Sequence, residues 1–173
     1  MEHTIEQVTA AMIAYDAGDP MRIHHFLKVH AFARFIGLSE GLDTHTQSVL
    51  EAAALVHDIG IHPAEAKYGS SAGKYQEELG PAEAETLLTN LGWPEEDIRR
   101  ISFLVGHHHT YTAIDGIDYQ ILVEADFLVN LYEDALPPEA QRHAYETIFK
   151  TERGKKLCRE LSPAVCRQKS RLR

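Results

Sequence analysis

Cysteine and long apolar runs are scarce in this 173-residue chain, and each scarcity excludes a class of protein. Only Cys158 and Cys166 are present, with neither a CxxC motif nor a zinc-ligand spacing, so we interpret them as ordinary thiols rather than a disulfide framework. The longest apolar runs fall far short of a membrane span, and the N-terminal MEHTIEQV carries acidic residues where a secretory signal would be positive. We therefore expect a cytoplasmic protein with no membrane partner.

Positive charge is also in deficit. The chain has 17 Lys and Arg against 26 Asp and Glu, a net charge of −9. Because neutralising phosphates along a nucleic acid needs an excess of basic side chains on one face, no nucleic acid polymer is expected as a partner. The stretch from Arg167 to Arg173 is a local basic exception, which we interpret as a solvated, frayed end.

The abundant residues indicate one globular domain spanning 1–173. Hydrophobic residues make up 44% and charged residues 25%, with no repeat or low-complexity tract. Helical spacing dominates and strand signals are weak, so the predicted fold class is all-α, a single-domain helical bundle. The predicted helices cover roughly 5–15, 21–38, a buried segment from a cap at Asp43 or Thr44 to His57-Asp58, 81–91, a segment from 94 that runs into GHHHTY, a stripe around 122–129, 137–150 and 153–161.

Residues 60–80 break this helical pattern. They contain four glycines, two serines and one proline without a sustained period, which predicts a long surface loop. Long ordered loops in compact domains tend to carry function.

Several histidines and aspartates are predicted to point inward from separate helices. Charge is excluded from such interiors unless it is paired or bound to a metal. Each residue alone has a structural explanation, such as a hydrogen-bonded core histidine, an aspartate paired with arginine or an exposed turn. Together, imidazole and carboxylate converging in a bundle predict a divalent metal site. The set comprises His25, the His57-Asp58 pair, His107 or His108, and Asp126.

Three segments carry a family resemblance. RIHHFLKVHAFAR, AALVHDIG and LVEADFLVN resemble the H…HD…D pattern of the HD-domain metal-dependent phosphohydrolases, and the His-x-x-x-Val alignment selects His25 rather than His24. The resemblance covers about residues 20–132, with 137–173 as a helical extension. It implies an HD-domain bundle that hydrolyses phosphate esters, often of nucleotides. The implied ligands of one divalent ion (Mn, Mg, Fe, Zn, Ni or Co) are His25, His57, Asp58 and Asp126.

The resemblance leaves open whether a second metal ion binds. Relatives with two or more metals add histidines, and GHHHTY offers His107 and His108 where such relatives carry a pair. The position of their other added histidine matches Gln76, which leaves His62 as a substitute.

Sequence differences from two groups of relatives narrow the range of expected substrates. Ile61 stands where cyclic-dinucleotide phosphodiesterases carry Lys, and neither a GYP signature nor the HDxxE pattern of alarmone hydrolases is present. The expected partner is a small phosphorylated molecule, and the sequence is also compatible with a homodimer. Two other functions remain open: a di-iron oxygenase of the kind that resembles this family, and a non-catalytic ligand-binding module.

The catalytic roles follow from a metal-activated water. Asp58 would orient that water, and Glu77 or Glu78 would act as general base if the loop folds over the metal. Small residues and a lysine in YGSSAGKYQEE suit contact with phosphate, although a solvated loop lysine has the same appearance. The candidate substrate contacts are Lys74, with Arg22 and Lys28 beside His25.

Overall fold

The computed structural model describes residues 4–166, and every regular element in that range is a helix. The predicted all-α, single-domain fold class is confirmed. The helices are α1 (Ile5–Tyr15), α2 (Pro20–Glu40), α3 (Thr44–Val56), α4 (Ile61–Tyr68), α5 (Gly73–Asn90), α6 (Glu95–Val105), α7 (Ile117–Glu133), α8 (Pro138–Thr147), α9 (Glu152–Leu161) and α10 (Pro163–Cys166).

Capping aspartates set the starts of two helices that carry site residues, α2 and α3. The Asp19 carboxylate accepts a hydrogen bond from Arg22 N at the start of α2 (3.2 Å). The Asp43 carboxylate caps α3 by accepting from Thr46 N (3.0 Å). These contacts satisfy amide groups that have no partner within the first turn of a helix.

The predicted surface loop over residues 60–80 is wrong. Helix α4 and the first part of α5 occupy all of it except Gly60 and residues 69–72, and Pro81 lies inside α5 rather than at a helix start. Tertiary packing overrides the local signals here, because the glycines permit close helix approach rather than a loop. A Cβ added at Gly60 would lie 2.6 Å from Gln76 O and 2.9 Å from Gly80 Cα.

Helix α3 is the centre of the bundle. Residues 49–56 are all buried, and the helix packs against α1, α2, α6 and α7. Glu51 is the one charged residue in that run. Burial alone would raise its pKa, but donors from His30 (2.9 Å), Gln47 (2.7 Å) and Arg34 (2.8 Å) prevail and lower it. The C-terminal end of α3 is buried, and the helix packs against both α2 and α7.

Two further sequence predictions concern membrane segments and the basic C-terminal stretch. Within residues 4–166, no helix combines the length and apolarity that crossing a bilayer requires. The basic stretch from Arg167 to Arg173 lies outside the described residues.

The two cysteines differ in accessibility, which gives a simple test of the core. Cys158 is buried, and burial raises the pKa of its thiol to about 12, whereas Cys166 is exposed. Because the thiolate is the reactive form, a disulfide reagent such as Ellman's should titrate one thiol per folded chain and two in denaturant. Cys166→Ser should remove the native signal and Cys158→Ser should leave it. Rapid labelling of Cys158 in the folded protein would contradict this packing.

Candidate metal centre

Three helices bring four of the predicted ligands to one point. His25 comes from α2, His57 and Asp58 from the end of α3, and Asp126 from α7. The Nε2 atom of His25 lies 3.2 Å from Asp58 Oδ2, 3.2 Å from Asp126 Oδ1 and 3.2 Å from His57 Nε2. His57 Nε2 lies 3.3 Å from Asp58 Oδ2 and 3.5 Å from Asp126 Oδ1. Two imidazole nitrogens and two carboxylates therefore share one small volume.

The end of α3 places the adjacent His57 and Asp58 at the same centre. The helix stops at Val56 and a turn follows, so the two side chains leave the backbone at a helix end rather than mid-helix. His57 is fully buried, while the Asp58 side chain retains 21% exposure. Solvent thus reaches the centre from the side of Asp58.

A third histidine joins from the turn after α6. The Nε2 atom of His108, whose side chain is fully buried, lies 3.3 Å from Asp58 Oδ1. Each of the three imidazoles directs Nδ1 away from the centre, toward an acceptor at 2.8 Å. The Nδ1 partners are Glu133 Oε2 for His25, Ala54 O for His57 and Val105 O for His108. A neutral imidazole that donates from Nδ1 carries its lone pair on Nε2, the form that binds a metal.

The donors at this centre fit a cation. His108 Nε2 is buried and makes no hydrogen bond within residues 4–166. Buried polar atoms are normally satisfied, so a nitrogen with Asp58 Oδ1 at 3.3 Å but no hydrogen bond indicates room for a cation between them. The Nε2 atoms of His25 and His57 face each other at 3.2 Å, which needs a proton or a cation between them. Imidazole with carboxylate is a ligand set for divalent transition metals.

Two overlapping groups share Asp58. The possible ligand atoms of His25, His57 and Asp58 lie within 4.8 Å of one another, and so do those of Asp58, His108 and His109. Asp58 presents Oδ2 to the first group and Oδ1 to His108 of the second. One carboxylate is thus placed to serve two adjacent positions.

His109 belongs to the second group, although the sequence did not predict it as a ligand. Burial, with the positive charge of neighbouring His108 when protonated, lowers the pKa of His109 to about 4, so the ring is neutral near pH 7. Its Nε2 lies 3.3 Å from Gln76 Oε1. Gln76 is where the resemblance expects an added histidine, so the His109 ring lies beside that position. The run of three consecutive histidines in GHHHTY was the sequence feature that could have indicated His109 as a candidate ligand.

Charge within the centre is balanced between imidazole and carboxylate. Burial alone would lower the pKa of His57, but the carboxylates of Asp58 and Asp126 prevail and raise it well above its ordinary value. Burial alone would raise the pKa of Asp126, but hydrogen bonds from His25 and His57 lower it. Without a cation, the His57 imidazole therefore favours its protonated form and the Asp126 carboxylate its ionised form.

Two other predicted ligands lie elsewhere. His107 donates from Nδ1 to Phe103 O (2.7 Å), and its ring stacks on Phe103 at a centroid distance of 4.0 Å. The Nε2 atom of His62 lies 2.9 Å from Asp16 Oδ1 on α1. Neither histidine is in the two His and Asp groups found within residues 4–166.

The two predicted general bases lie on α5 and are engaged in hydrogen bonds. Glu77 Oε1 accepts from His109 N and from the Thr110 hydroxyl, both at 3.0 Å. Glu78 Oε1 accepts from the Tyr68 hydroxyl (2.5 Å) and from Lys67 Nζ (3.1 Å). Glu77 is therefore next to the second group through His109, whereas Glu78 is tied to the surface of α4.

The basic residues predicted to contact substrate also have definite surroundings. Arg22 pairs with Glu65 at 2.6 Å, and Lys28 pairs with Glu133 at 2.5 Å. Lys74 is exposed in the first turn of α5, with Nζ 4.6 Å from the centre of the adjacent tyrosine ring. Lys28 and Lys74 are both exposed, but Lys28 is held by Glu133.

Comparison with known proteins gives one informative likeness. No protein-family model matches the chain, and no curated protein matches it. Among solved structures, the chain is similar to the crystal structure of a predicted HD superfamily hydrolase from an uncultured Thermotogales bacterium. The TM-score is 0.65 and the identity 26%, over 96% of this chain and 90% of that one. The resemblance to the HD-domain superfamily that the H…HD…D segments predicted is therefore confirmed along almost the whole chain.

Proposed function

We propose that this protein is a divalent-cation-dependent phosphohydrolase that acts on a small phosphorylated substrate, with nucleotides among the candidates. One observation carries the proposal: the Nε2 atoms of His25 and His57 and the carboxylates of Asp58 and Asp126 converge at one point in the interior. The likeness to a protein named as a predicted hydrolase supports hydrolysis as the reaction type.

The residues that would hold cations fall into the two groups already described. His25, His57, Asp58 and Asp126 would hold one ion, and Asp58, His108 and His109 would hold a second. A bound divalent cation supplies an acidified water and polarises a phosphoryl oxygen. Asp58, as the residue common to both groups, is the side chain best placed to orient a water between them.

The start of α5 supports a role for Lys74 in binding the substrate phosphate. A Cβ added at Gly73 would lie 2.9 Å from His109 Cγ, so the N-terminus of α5 lies directly beside the second group. The N-cap residue, Ala72, has no side chain that could cap the helix. Backbone N–H groups at a helix start, together with a nearby ammonium group, favour a phosphate. Arg22 and Lys28 are weaker candidates because each already pairs with a glutamate.

Glu77 and Glu78 are the two candidates for the general base. Glu77 is the stronger candidate for general base, since it is hydrogen-bonded to the backbone of His109. Glu78 is weaker, because its contacts are with Tyr68 and Lys67.

The experiment is a phosphate-release assay. Protein purified without chelator and supplied in turn with Mn²⁺, Mg²⁺, Fe²⁺, Zn²⁺, Ni²⁺ or Co²⁺ should release phosphate from at least one member of a panel of nucleotides and sugar phosphates. EDTA should stop the reaction and the effective ion should restore it. His25→Ala should lose the activity, whereas His143→Ala, on the exposed face of α8, should keep it. Activity that resists EDTA, or no release with any ion, would contradict the proposal.

The second candidate function is oxygenation at two irons. The observation in its favour is the second group, since Asp58 with His108 and His109 would complete a two-ion cage. Anaerobic loading with Fe²⁺, followed by exposure to O2 in the presence of the same substrate panel, separates the two functions. Substrate-dependent O2 uptake without phosphate release from a phosphate ester would favour the oxygenase.

A further inference from the structure

We propose that Glu133 is a positioning residue, which fixes the His25 imidazole so that Nε2 faces the candidate metal centre. This inference rests on the proposed cation site but is independent of the reaction carried out there.

Helix α7 holds both nitrogens of the His25 ring. Asp126 Oδ1 lies 3.2 Å from His25 Nε2, and Glu133 Oε2 lies 2.8 Å from His25 Nδ1. Asp126 and Glu133 are seven residues apart, which is two helical turns and therefore one face of α7. Between them, Asn130 donates to Asp126 Oδ1 at 2.9 Å. The ring of His25 is thus clamped from both sides by one helix.

His25 needs an outside acceptor because of its place in the chain. His57 and His108 follow helix ends, where the carbonyls of Ala54 and Val105 are among the last of their helices and are free to accept from Nδ1. His25 lies well inside α2, where the carbonyl groups are committed to the helix. The carboxylate of Glu133 accepts the hydrogen bond from Nδ1 of His25, as a backbone carbonyl does for His57 and His108.

A carboxylate partner also changes the strength of the ligand. A hydrogen bond from Nδ1 to an ionised acceptor is stronger than one to a carbonyl, and it raises the basicity of the opposite nitrogen. Carboxylate partners of metal-binding histidines typically contribute a factor of about 10 to 100 in metal affinity. The Glu133 carboxylate would therefore strengthen His25 as a ligand when a cation binds.

Lys28 supports Glu133 rather than the substrate. Its Nζ lies 2.5 Å from Glu133 Oε1, the oxygen that His25 does not use. Lys28 is one helical turn after His25 on α2, so both residues reach the same glutamate. This contact gives Lys28 a structural role, whereas the sequence predicted that Lys28 contacts the substrate.

The test measures cation binding directly. Ion-free protein is titrated with Co²⁺ at pH 7 for wild type, Glu133→Ala, Glu133→Gln, Lys28→Met and Glu65→Ala. Glu133→Ala is expected to weaken Co²⁺ binding by about 10- to 100-fold and to shift the visible Co²⁺ absorption bands, because His25 loses its orientation and basicity. Glu133→Gln keeps an oxygen acceptor and should lie between Glu133→Ala and wild type. Lys28→Met should stay within about threefold of wild type, because a half-exposed ion pair is worth little.

The control variant removes a comparable glutamate from another contact with α2. Glu65 pairs with Arg22 and touches none of the His and Asp groups, so Glu65→Ala should bind Co²⁺ as wild type does. Glu133→Ala binding Co²⁺ within twofold of Glu65→Ala, with an unchanged spectrum, would overturn the inference. Lys28→Met losing as much affinity as Glu133→Ala would also overturn it, because the α2 to α7 ion pair would then be the cause.

The outcome separates this inference from the proposed function. Wild-type protein that binds Co²⁺ tightly but releases no phosphate with any ion would remove the phosphohydrolase and leave the role of Glu133 intact. Wild-type protein that binds no Co²⁺ would remove both. Thermal unfolding of each ion-free variant shows whether it is folded, and Glu133→Gln serves for the comparison if Glu133→Ala is not.

Discussion

Replacing Asp58 with alanine is expected to abolish tight cation binding and to lower phosphate release by at least about 1000-fold. Asp58 is the only residue common to both ligand groups found within residues 4–166. Its Oδ2 lies 3.2 Å from His25 Nε2 and 3.3 Å from His57 Nε2, and its Oδ1 lies 3.3 Å from His108 Nε2. Since a metal ion contributes several kcal/mol of transition-state stabilisation, and about 1.4 kcal/mol is tenfold in rate, losing it costs about three orders of magnitude.

The measurement combines bound ions per chain, by mass spectrometry of the metals, with the phosphate-release assay. Asp58→Asn keeps the size of the side chain and removes its charge, so it should lose activity nearly as far as Asp58→Ala. Asp115→Ala is the matched control, because Asp115 is an exposed aspartate that pairs with Arg100 at 3.0 Å. An Asp58→Ala protein that keeps its ions and stays within tenfold of wild-type activity would refute the shared-ligand geometry.

Helical periodicity could predict that the first group of candidate ligands faces the interior, because most of that group lies on regular helices. His25 and Asp126 lie inside α2 and α7, where a spacing of 3.6 residues reliably sorts buried from exposed positions. His57 and Asp58 end a segment that is buried on every side, and an interior of that kind leaves few explanations for adjacent ionisable groups. The capping residues Asp19 and Asp43 also have local sequence signatures, so the starts of α2 and α3 were predictable.

The histidines after α6 show where periodicity fails. Helical spacing was extended past Val105 and selected both His107 and His108, yet the helix ends at Val105. A tight turn follows, in which His107 N donates to Leu104 O at 3.1 Å. Directions in a turn no longer follow the helical repeat, so His107 stacks on Phe103 while His109 lies beside Gln76. No count along α6 could have made that distinction.

Contacts between residues that are far apart in the sequence could not be predicted either. Glu133 and His25 are 108 residues apart, and an exposed-looking glutamate at the end of a helix carries no motif. The loop predicted for 60–80 failed for a related reason. Its glycines and proline look like breaks in isolation, but α5 lies between α4 and α6, and their packing stabilises a helix that local propensity alone would not predict.

Replacing Gly60 with alanine is expected to destabilise the fold by about 3 kcal/mol and to lower Tm by about 6 to 12 °C. The new Cβ would lie 2.6 Å from Gln76 O, and 2.9 Å from both Gly80 Cα and Gly80 N. All three are backbone atoms of α5, so no side-chain rotation can relieve the overlap and the turn after Asp58 must separate from that helix. Glycine at this position is therefore required by helix approach, since its backbone is in an ordinary right-handed conformation (φ −73°).

Thermal unfolding followed by circular dichroism measures the effect, and Gly106→Ala is the matched comparison. At Gly106 the nearest atom to an added Cβ is a ring carbon of Pro81 at 3.0 Å, a milder conflict that a small shift of the ring relieves, so this variant should lose clearly less stability. Because Gln76 contacts His109, separating α5 from the turn should also weaken the second ligand group, and Gly60→Ala should lose part of its Co²⁺ binding even where it is folded. If Gly60→Ala instead melts within about 2 °C of wild type, less than 1 kcal/mol has been lost, and the close packing of α5 on the turn after Asp58 is not present in solution.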